Sequence, residues 1–135
     1  RRQRQMCIRD RQKARTARAF EALLVDAEGR VTEGSSTSAF CVADGSVHTA
    51  PEGPHILPSI TRGQLLELAR ELGLPVVEAF RTLDEFKAAD ELFLAGTTPE
   101  AMPVVRIDGA VIGAGEPGPL TRRLRDAFLA RAAPP

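Results

Sequence analysis

Three turns dense in hydroxyl groups are the places in this 135-residue chain where residue type and spacing could do chemistry: Thr32 to Ser38, Ser59 to Thr61 and Gly96 to Thr98. Small hydroxyl side chains beside unpaired backbone N–H groups suit a phosphate. Ser59-Ile60-Thr61 also opens a stretch of helical spacing, where free N–H groups and the macrodipole favour an anion. The same residues cap helices and make turns routinely, so capping stands beside phosphate binding as a reading of each. Other chemistries are poorly supplied. His48, His55 and the cysteines lack any recognisable ligand spacing, so no metal site is expected. Gly34-Ser35-Ser36 does not stand in the strand-to-helix context of a nucleophile elbow. His55 reads as a solvated loop residue rather than a base.

The apolar pattern gives the elements that must position these turns. Phe20 to Asp26 (FEALLVD) predicts a strand ended by a turn at Ala27 to Arg30. Ser38 to Ala43 and Ser46 to Thr49 flank Asp44-Gly45, a strong hairpin signal. A Pro- and Gly-rich loop, Ala50 to Ser59, leads into Thr61 to Leu72, where Leu65, Leu66, Leu68, Ala69 and Leu72 recur at helical spacing before Gly73. Pro75 to Phe80 predicts another strand, and Thr82 with Glu85 forms a capping box for a short helix through Ala89. Glu91 to Ala95 and Ala101 to Ile107 follow as strands, with a hairpin at Asp108-Gly109 and a return over Ala110 to Ile112. Gly118-Pro119 starts a last helix with Leu120, Leu124, Ala127 and Phe128 on one face. The sum is an α+β domain of mixed strands with about three helices.

Composition sets limits on function. With 43% hydrophobic and 27% charged residues, the chain is globular and of one-domain length. Eighteen basic and eighteen acidic residues give formal charge zero, which removes the overall electrostatic case for a nucleic-acid or anionic-membrane partner. No apolar run approaches the roughly 18 residues of a spanning helix. The basic residues crowd into the start, with five arginines and only Asp10 among Arg1 to Arg11. No apolar core of roughly 7 to 15 residues follows, so this is not a secretory signal. Back-translated as CGT CGG CAG CGT CAG ATG TGT ATA AGA GAC AGR, the segment spells continuously the adapter and mosaic end of a transposon-based sequencing library. We expect residues 1–11 to be non-native and the natural protein to be longer. Cys7 then drops out, leaving Cys41 alone, which fits a reducing cytoplasmic setting.

Val31-Thr32-Glu33-Gly34-Ser35-Ser36 with Phe40, then Ile56-Leu57-Pro58-Ser59-Ile60-Thr61-Arg62, then Gly96-Thr97-Thr98-Pro99-Glu100-Ala101-Met102-Pro103-Val104, resembles the ordered signature of class IV aminotransferases. These fold-type IV enzymes use pyridoxal 5'-phosphate and include D-amino-acid transaminase, branched-chain transaminase and aminodeoxychorismate lyase. The resemblance runs from Gln12 to near the end and implies that residues 12–135 are the larger, carboxy-terminal domain of such an enzyme. It implies that Glu33 contacts the pyridine nitrogen, that Ile60, Thr61 and Thr97 hold the phosphate, that Leu57 packs on a ring face, and that Ser36 lines the same site. It further implies transamination between an amino acid and a 2-oxo acid, with D-amino acids favoured by the Glu33 to Ser36 and Gly96 to Glu100 strings, and a homodimer. Branched-chain amino-acid transamination or aminodeoxychorismate lyase activity is the alternative within the family, and a small non-catalytic α+β binding or dimerisation module is the alternative from another class.

The departures are specific. The family's Schiff-base lysine stands roughly twenty residues ahead of the position matching Glu21, at or before Arg1, and Lys13 matches a non-catalytic helical position. Arginine does not substitute, because a guanidinium stays protonated. No catalytic residue is therefore expected within the chain. Ser59 replaces the usual glycine before Ile-Thr-Arg, and Ser38 a frequent asparagine. Without its amino-terminal partner domain the chain is expected to fold poorly or to associate. Resequencing the source DNA with a library made by another method should replace the codons of Arg1 to Arg11 and place a lysine codon at the family's spacing ahead of Glu21. An unchanged arginine-rich start would overturn the adapter reading.

Overall fold

Two runs with no polar alternation, SAFCVA and ELFLAG, form neighbouring strands at the centre of the molecule. A strand buried on both faces needs apolar residues at odd and even positions alike. In the computed structural model, which describes residues 2–54 and 56–134 with side chains from residue 8, β3 (Ser38–Ala43) pairs antiparallel with β7 (Glu91–Gly96). The register sets Ser38 opposite Ala95 and Phe40 opposite Phe93. They are the middle of a five-stranded sheet of order β5-β4-β3-β7-β8, completed by β4 (Ser46–Thr49), β5 (Val76–Glu78) and β8 (Glu100–Pro103). All pairings in it are antiparallel except β4 with β5, which α2 (Ile60–Glu71) connects. Parallel neighbours require such a crossover.

The period of two sorts the central strands into two cores. Phe40, Val42, Phe93 and Ala95 face α2 and α4 (Pro119–Ala132), meeting Leu65, Leu66, Leu68, Ala69 and Leu124. Ala39, Cys41, Leu92 and Leu94 face the other way, onto Val31, Phe86, Ala89, Ile107 and Ile112. That second layer comprises a small sheet of β1 (Leu23–Val25), β2 (Arg30–Gly34) and β6 (Arg81–Thr82), the helix α3 (Leu83–Lys87), and the hairpin β9 (Arg106–Ile107) with β10 (Ala110–Val111). The first helix, α1 (Arg2–Thr16), runs through Gln12 and among residues 8–16 buries only Ala14. The α+β class is as expected; α2, α3 and α4 are the three anticipated helices and α1 is a fourth.

Local chemistry explains most boundaries. Asp44-Gly45 and Asp108-Gly109 both sit at positive φ, the conformation a two-residue hairpin demands of its central pair. Thr82 and Glu85 close the capping box reciprocally, at 2.7 and 3.2 Å. Gly118 caps α4 with Pro119 at its first position, and the N–H groups behind them, unpaired within the helix, are taken by a side chain from β7. Glu91, itself buried, accepts from the N–H groups of Leu120 and Thr121 and from the Thr121 hydroxyl, at 2.7–3.0 Å.

Three strand expectations are corrected. Phe20 to Asp26 contributes only Leu23–Val25, because the Ala22 N–H is taken by the Glu21 carboxylate and Phe20 is exposed. Ala101 to Ile107 is two strands, since the chain leaves β7 after a last ladder bond from the Val104 N–H to the Leu92 carbonyl, and Arg106–Ile107 pairs with β10 instead. Pro75 to Phe80 shortens to Val76–Glu78, and Phe80 leaves the sheet to lie under the Arg30 guanidinium at 4.3 Å.

The α4 cap is testable. Glu91→Ala leaves a buried hydroxyl and two helix N–H groups without an acceptor. It should lower stability by about 3 kcal/mol in urea unfolding followed by circular dichroism. A loss below about 0.5 kcal/mol, the range of an ordinary surface change, would show that the carboxylate does not anchor α4.

Candidate functional site

The start of β3 and the end of β7 lie side by side, and a cleft of about 350 Å³ opens there. Its walls come from three directions: the β2 to β3 turn, the loop into α2, and the turn leaving β7. Glu33, Ser36, Leu57, Ile60, Thr61 and Thr97, six residues spread over 65 positions of sequence, all line it. The three hydroxyl-rich turns thus converge on one space.

Glu33 stands on β2, two residues after the buried Val31 and on the same face, so its side chain points inward and is 8% exposed. One oxygen accepts the Leu57 N–H at 3.3 Å; the other accepts no hydrogen bond among the described residues. Burial pushes this carboxyl above its ordinary range, and the single N–H opposes that only in part. An under-supplied, desolvated carboxylate of this kind suits a cationic N–H brought by a ligand.

The loop into α2 supplies donors. Ser59, in an extended conformation (φ −132°, ψ 121°), caps α2, and its hydroxyl accepts the Arg62 N–H at 3.1 Å. That backbone conformation requires no glycine, and the serine in the usual glycine position serves as the cap. The N–H groups of Ile60 and Thr61 have no intrahelical partner, and Thr61, at 9% exposure, makes no side-chain hydrogen bond among the described residues. Ile60 and Leu57 are exposed at 83% and 62%, so in this chain neither is core packing. Thr97 completes the cleft from β7.

The sequence profile of the amino-transferase class IV family matches residues 2–107. This chain belongs to that family. The D-alanine aminotransferase of Bacillus licheniformis is 44% identical over 118 residues, covering 87% of this chain and 41% of that protein. A branched-chain-amino-acid aminotransferase of Pseudomonas aeruginosa is also 44% identical over 118 residues, covering 87% of this chain and 38% of that protein. The chain therefore spans about two fifths of the curated relatives it matches. Among solved structures, the Escherichia coli branched-chain amino acid aminotransferase superposes with a TM-score of 0.90 at 35% identity, over 94% of this chain and 43% of that one. The T.th. branched-chain amino acid aminotransferase, solved with pyridoxamine 5'-phosphate, gives 0.87 at 40% identity, over 91% of this chain and 41% of that one.

Two residues that shape the site in this class IV chain escaped sequence reasoning. Arg62, 2% exposed, bonds Glu52 at 3.1 Å, Glu78 at 2.8 Å and the Ala50 carbonyl at 2.9 Å, fastening the first turn of α2 to the loop before it and to β5. Its signal was a cation in the first turn of a helix, where the macrodipole disfavours one without partners. Glu21, a lone charge inside an apolar run, accepts from Ala22, Ser35, Ser36 and Thr37. Gly34 is demanded by this packing: a Cβ there would collide with the Thr37 hydroxyl and press on Glu21. His48 lies in the sheet, with Nδ1 accepting from Arg81 Nε at 3.1 Å, away from the cleft. His55 lies outside the described residues. Lys13 and Lys87, the chain's two lysines, do not line the cleft.

The raised Glu33 carboxyl has a stability consequence. The native state holds that proton more tightly than the unfolded chain, so stability falls as pH rises from the ordinary value near 4.5 through the raised one, and the penalty is complete above it. Glu33→Gln should remove this slope and raise the unfolding midpoint at pH 7. Superimposable pH profiles for the two proteins would show that Glu33 carries no such penalty.

Proposed function

We propose that residues 12–135 are the cofactor-binding part of a pyridoxal-phosphate-dependent class IV aminotransferase, with residues 1–11 adapter-derived. The observation that carries this reading is the mixed lining of one cleft, which holds both an under-supplied buried carboxylate, Glu33, and the open N–H groups and hydroxyl of Ile60 and Thr61. A molecule with a protonatable ring nitrogen at one end and a phosphate at the other matches that arrangement.

When bound, pyridoxal 5'-phosphate supplies a ring that draws electrons from the Cα of an amino acid while its amino group passes to a 2-oxo acid. Glu33 keeps a proton on the ring nitrogen by offering a negative charge in a desolvated place. Ile60, Thr61 and Thr97 fix the phosphate, and Leu57 and Ile60 supply apolar cover that excludes water from the ring. Ser36 lines the same cleft. Among the described residues no lysine lines the cleft, and the family resemblance implies that the amine that would move the proton at Cα is a lysine ahead of Glu21.

The parent is proposed as cytoplasmic and homodimeric, acting on D-amino acids, a choice supported by the Glu33 to Ser36 string and the Bacillus licheniformis relative. A branched-chain substrate is the second reading, favoured by the Pseudomonas aeruginosa relative at equal identity and by the Escherichia coli superposition. Assaying the intact parent with D-alanine and with leucine separates the two.

Equilibrium dialysis of the 135-residue chain should show pyridoxal 5'-phosphate bound without a covalent link, dialysable after borohydride treatment. Thr61→Ala should weaken it about tenfold or more, the worth of one hydrogen bond to a charged group, and Thr61→Ala with Glu33→Ala should abolish it. A folded chain that binds none would put the non-catalytic module in place of this reading.

A further inference from the structure

The turn from Gly34 to Thr37 has the composition of an anion nest, yet the N–H groups of Gly34, Ser35 and Ser36 and all three of its hydroxyls are already engaged inside the protein. The Gly34 N–H goes to the Thr37 carbonyl at 2.8 Å and the Ser35 N–H to the Ala22 carbonyl at 2.9 Å. The Ser36 N–H goes to Glu21 Oε2 at 3.0 Å. The three hydroxyls follow: Ser36 Oγ donates to Glu21 Oε2 at 2.8 Å, Thr37 Oγ1 to the same oxygen at 3.2 Å, and Ser35 Oγ to Glu21 Oε1. With the Ala22 N–H at 2.9 Å, one carboxylate takes five hydrogen bonds, filling its roughly four lone-pair sites.

An ionised carboxylate only accepts, and a hydroxyl has one proton and two lone pairs. A serine that gives its proton to Glu21 can show the cleft nothing but lone pairs. We propose that Glu21 is the positioning residue that sets the polarity of the cleft: by taking the hydroxyl protons of Ser35, Ser36 and Thr37, it makes the turn an acceptor surface that seats a hydrogen-bond donor of the ligand and turns away its phosphate or carboxylate. This rests on the cofactor reading for the phosphate half of the cleft and extends it to the other half. Charge acts in the same direction, because Glu33 lines the cleft and Glu21 is hydrogen-bonded to the turn that lines it. Burial raises the Glu21 carboxyl, but the hydroxyl and amide donors more than offset that and hold it below its ordinary value, so it stays ionised at neutral pH. Anions are left with the open N–H groups at the α2 end and with Thr97.

The test is an amide map of the isotope-labelled intact parent protein, freed of cofactor and titrated with inorganic phosphate, for the native sequence and for Glu21→Gln. The carboxamide keeps the shape but donates as well as accepts, so at least one of the three hydroxyls must turn its proton outward. Phosphate should shift Ile60, Thr61 and Thr97 in both proteins, and Ser35 to Thr37 in Glu21→Gln alone. Adding Ser36→Ala to the variant should shrink the gained shifts, which a merely structural Glu21 would not do. Phosphate shifts at Ser35 to Thr37 in the native chain overturn the proposal, as does a folded Glu21→Gln whose turn stays silent. Should Glu21→Gln fail to fold, the native map decides: shifts confined to the α2 end and Thr97 support it, and shifts at the turn sink it. A gain at the turn in Glu21→Gln without any shift at Ile60 and Thr61 sinks the phosphate cradle and leaves the role of Glu21 standing.

Discussion

Strands β3 and β7 are apolar on both faces, and the rest of the molecule is arranged to cover them. Phe40 and Phe93 stack across the pair at 4.7 Å between centroids and 7° between planes, both fully buried. One layer of helices must therefore lie on their side, and a second layer on the side of Cys41 and Leu92. With both faces closed, backbone groups of the central strands reach solvent only at the strand ends. The cleft lies at one of these ends, where β3 begins, β7 stops and α2 starts. Its position follows from the core.

Three buried or half-buried carboxylates divide the remaining work according to how many donors each is given. Glu91 receives three, and its charge anchors α4. Glu21 receives five, and its charge holds the shape of a turn. Glu33 receives one and is left wanting a partner. A buried charge is costly in proportion to what is missing around it, so the under-supplied carboxylate is the one with capacity left for a ligand's donor. Donor count separates structural acids from the candidate functional one where residue type does not.

Much of this was legible in the sequence where a single element carries its own signal. Ser38 to Ala43, Ser46 to Thr49, the Asp-Gly hairpins and the Thr82 to Glu85 box came out at the expected residues because turn and cap chemistry is local. Strand β2 was hidden: RVTEG holds one strongly apolar residue, and only pairing with β1 and β6 makes it a strand. That is why Glu33 read as a turn residue until resemblance singled it out. Glu21 and Arg62 were illegible as site-building residues for the same reason, since their partners lie up to 16 positions away in sequence and are brought in by the fold. The hydroxyl turns read alike as sequence; partner geometry divides them into an acceptor surface at Ser35 to Thr37 and a donor end at α2.

Arg62 shows how that donor end remains neutral in spite of a guanidinium one residue away. Its side chain is 3% exposed and is met by Glu52, Glu78 and the Ala50 carbonyl, so the charge is compensated behind the helix and does not reach the cleft. The ligand side of α2 then consists of backbone N–H groups, the Thr61 hydroxyl and the helix dipole. Neutral donors fixed by a helix need no reorganisation when an anion arrives, whereas a long cationic side chain would lose rotamer freedom on binding. The arginine serves by holding the first turn of α2 against β5 and the preceding loop, and the ion pairs that do so are the reason a cation is tolerated at the positive end of a helix.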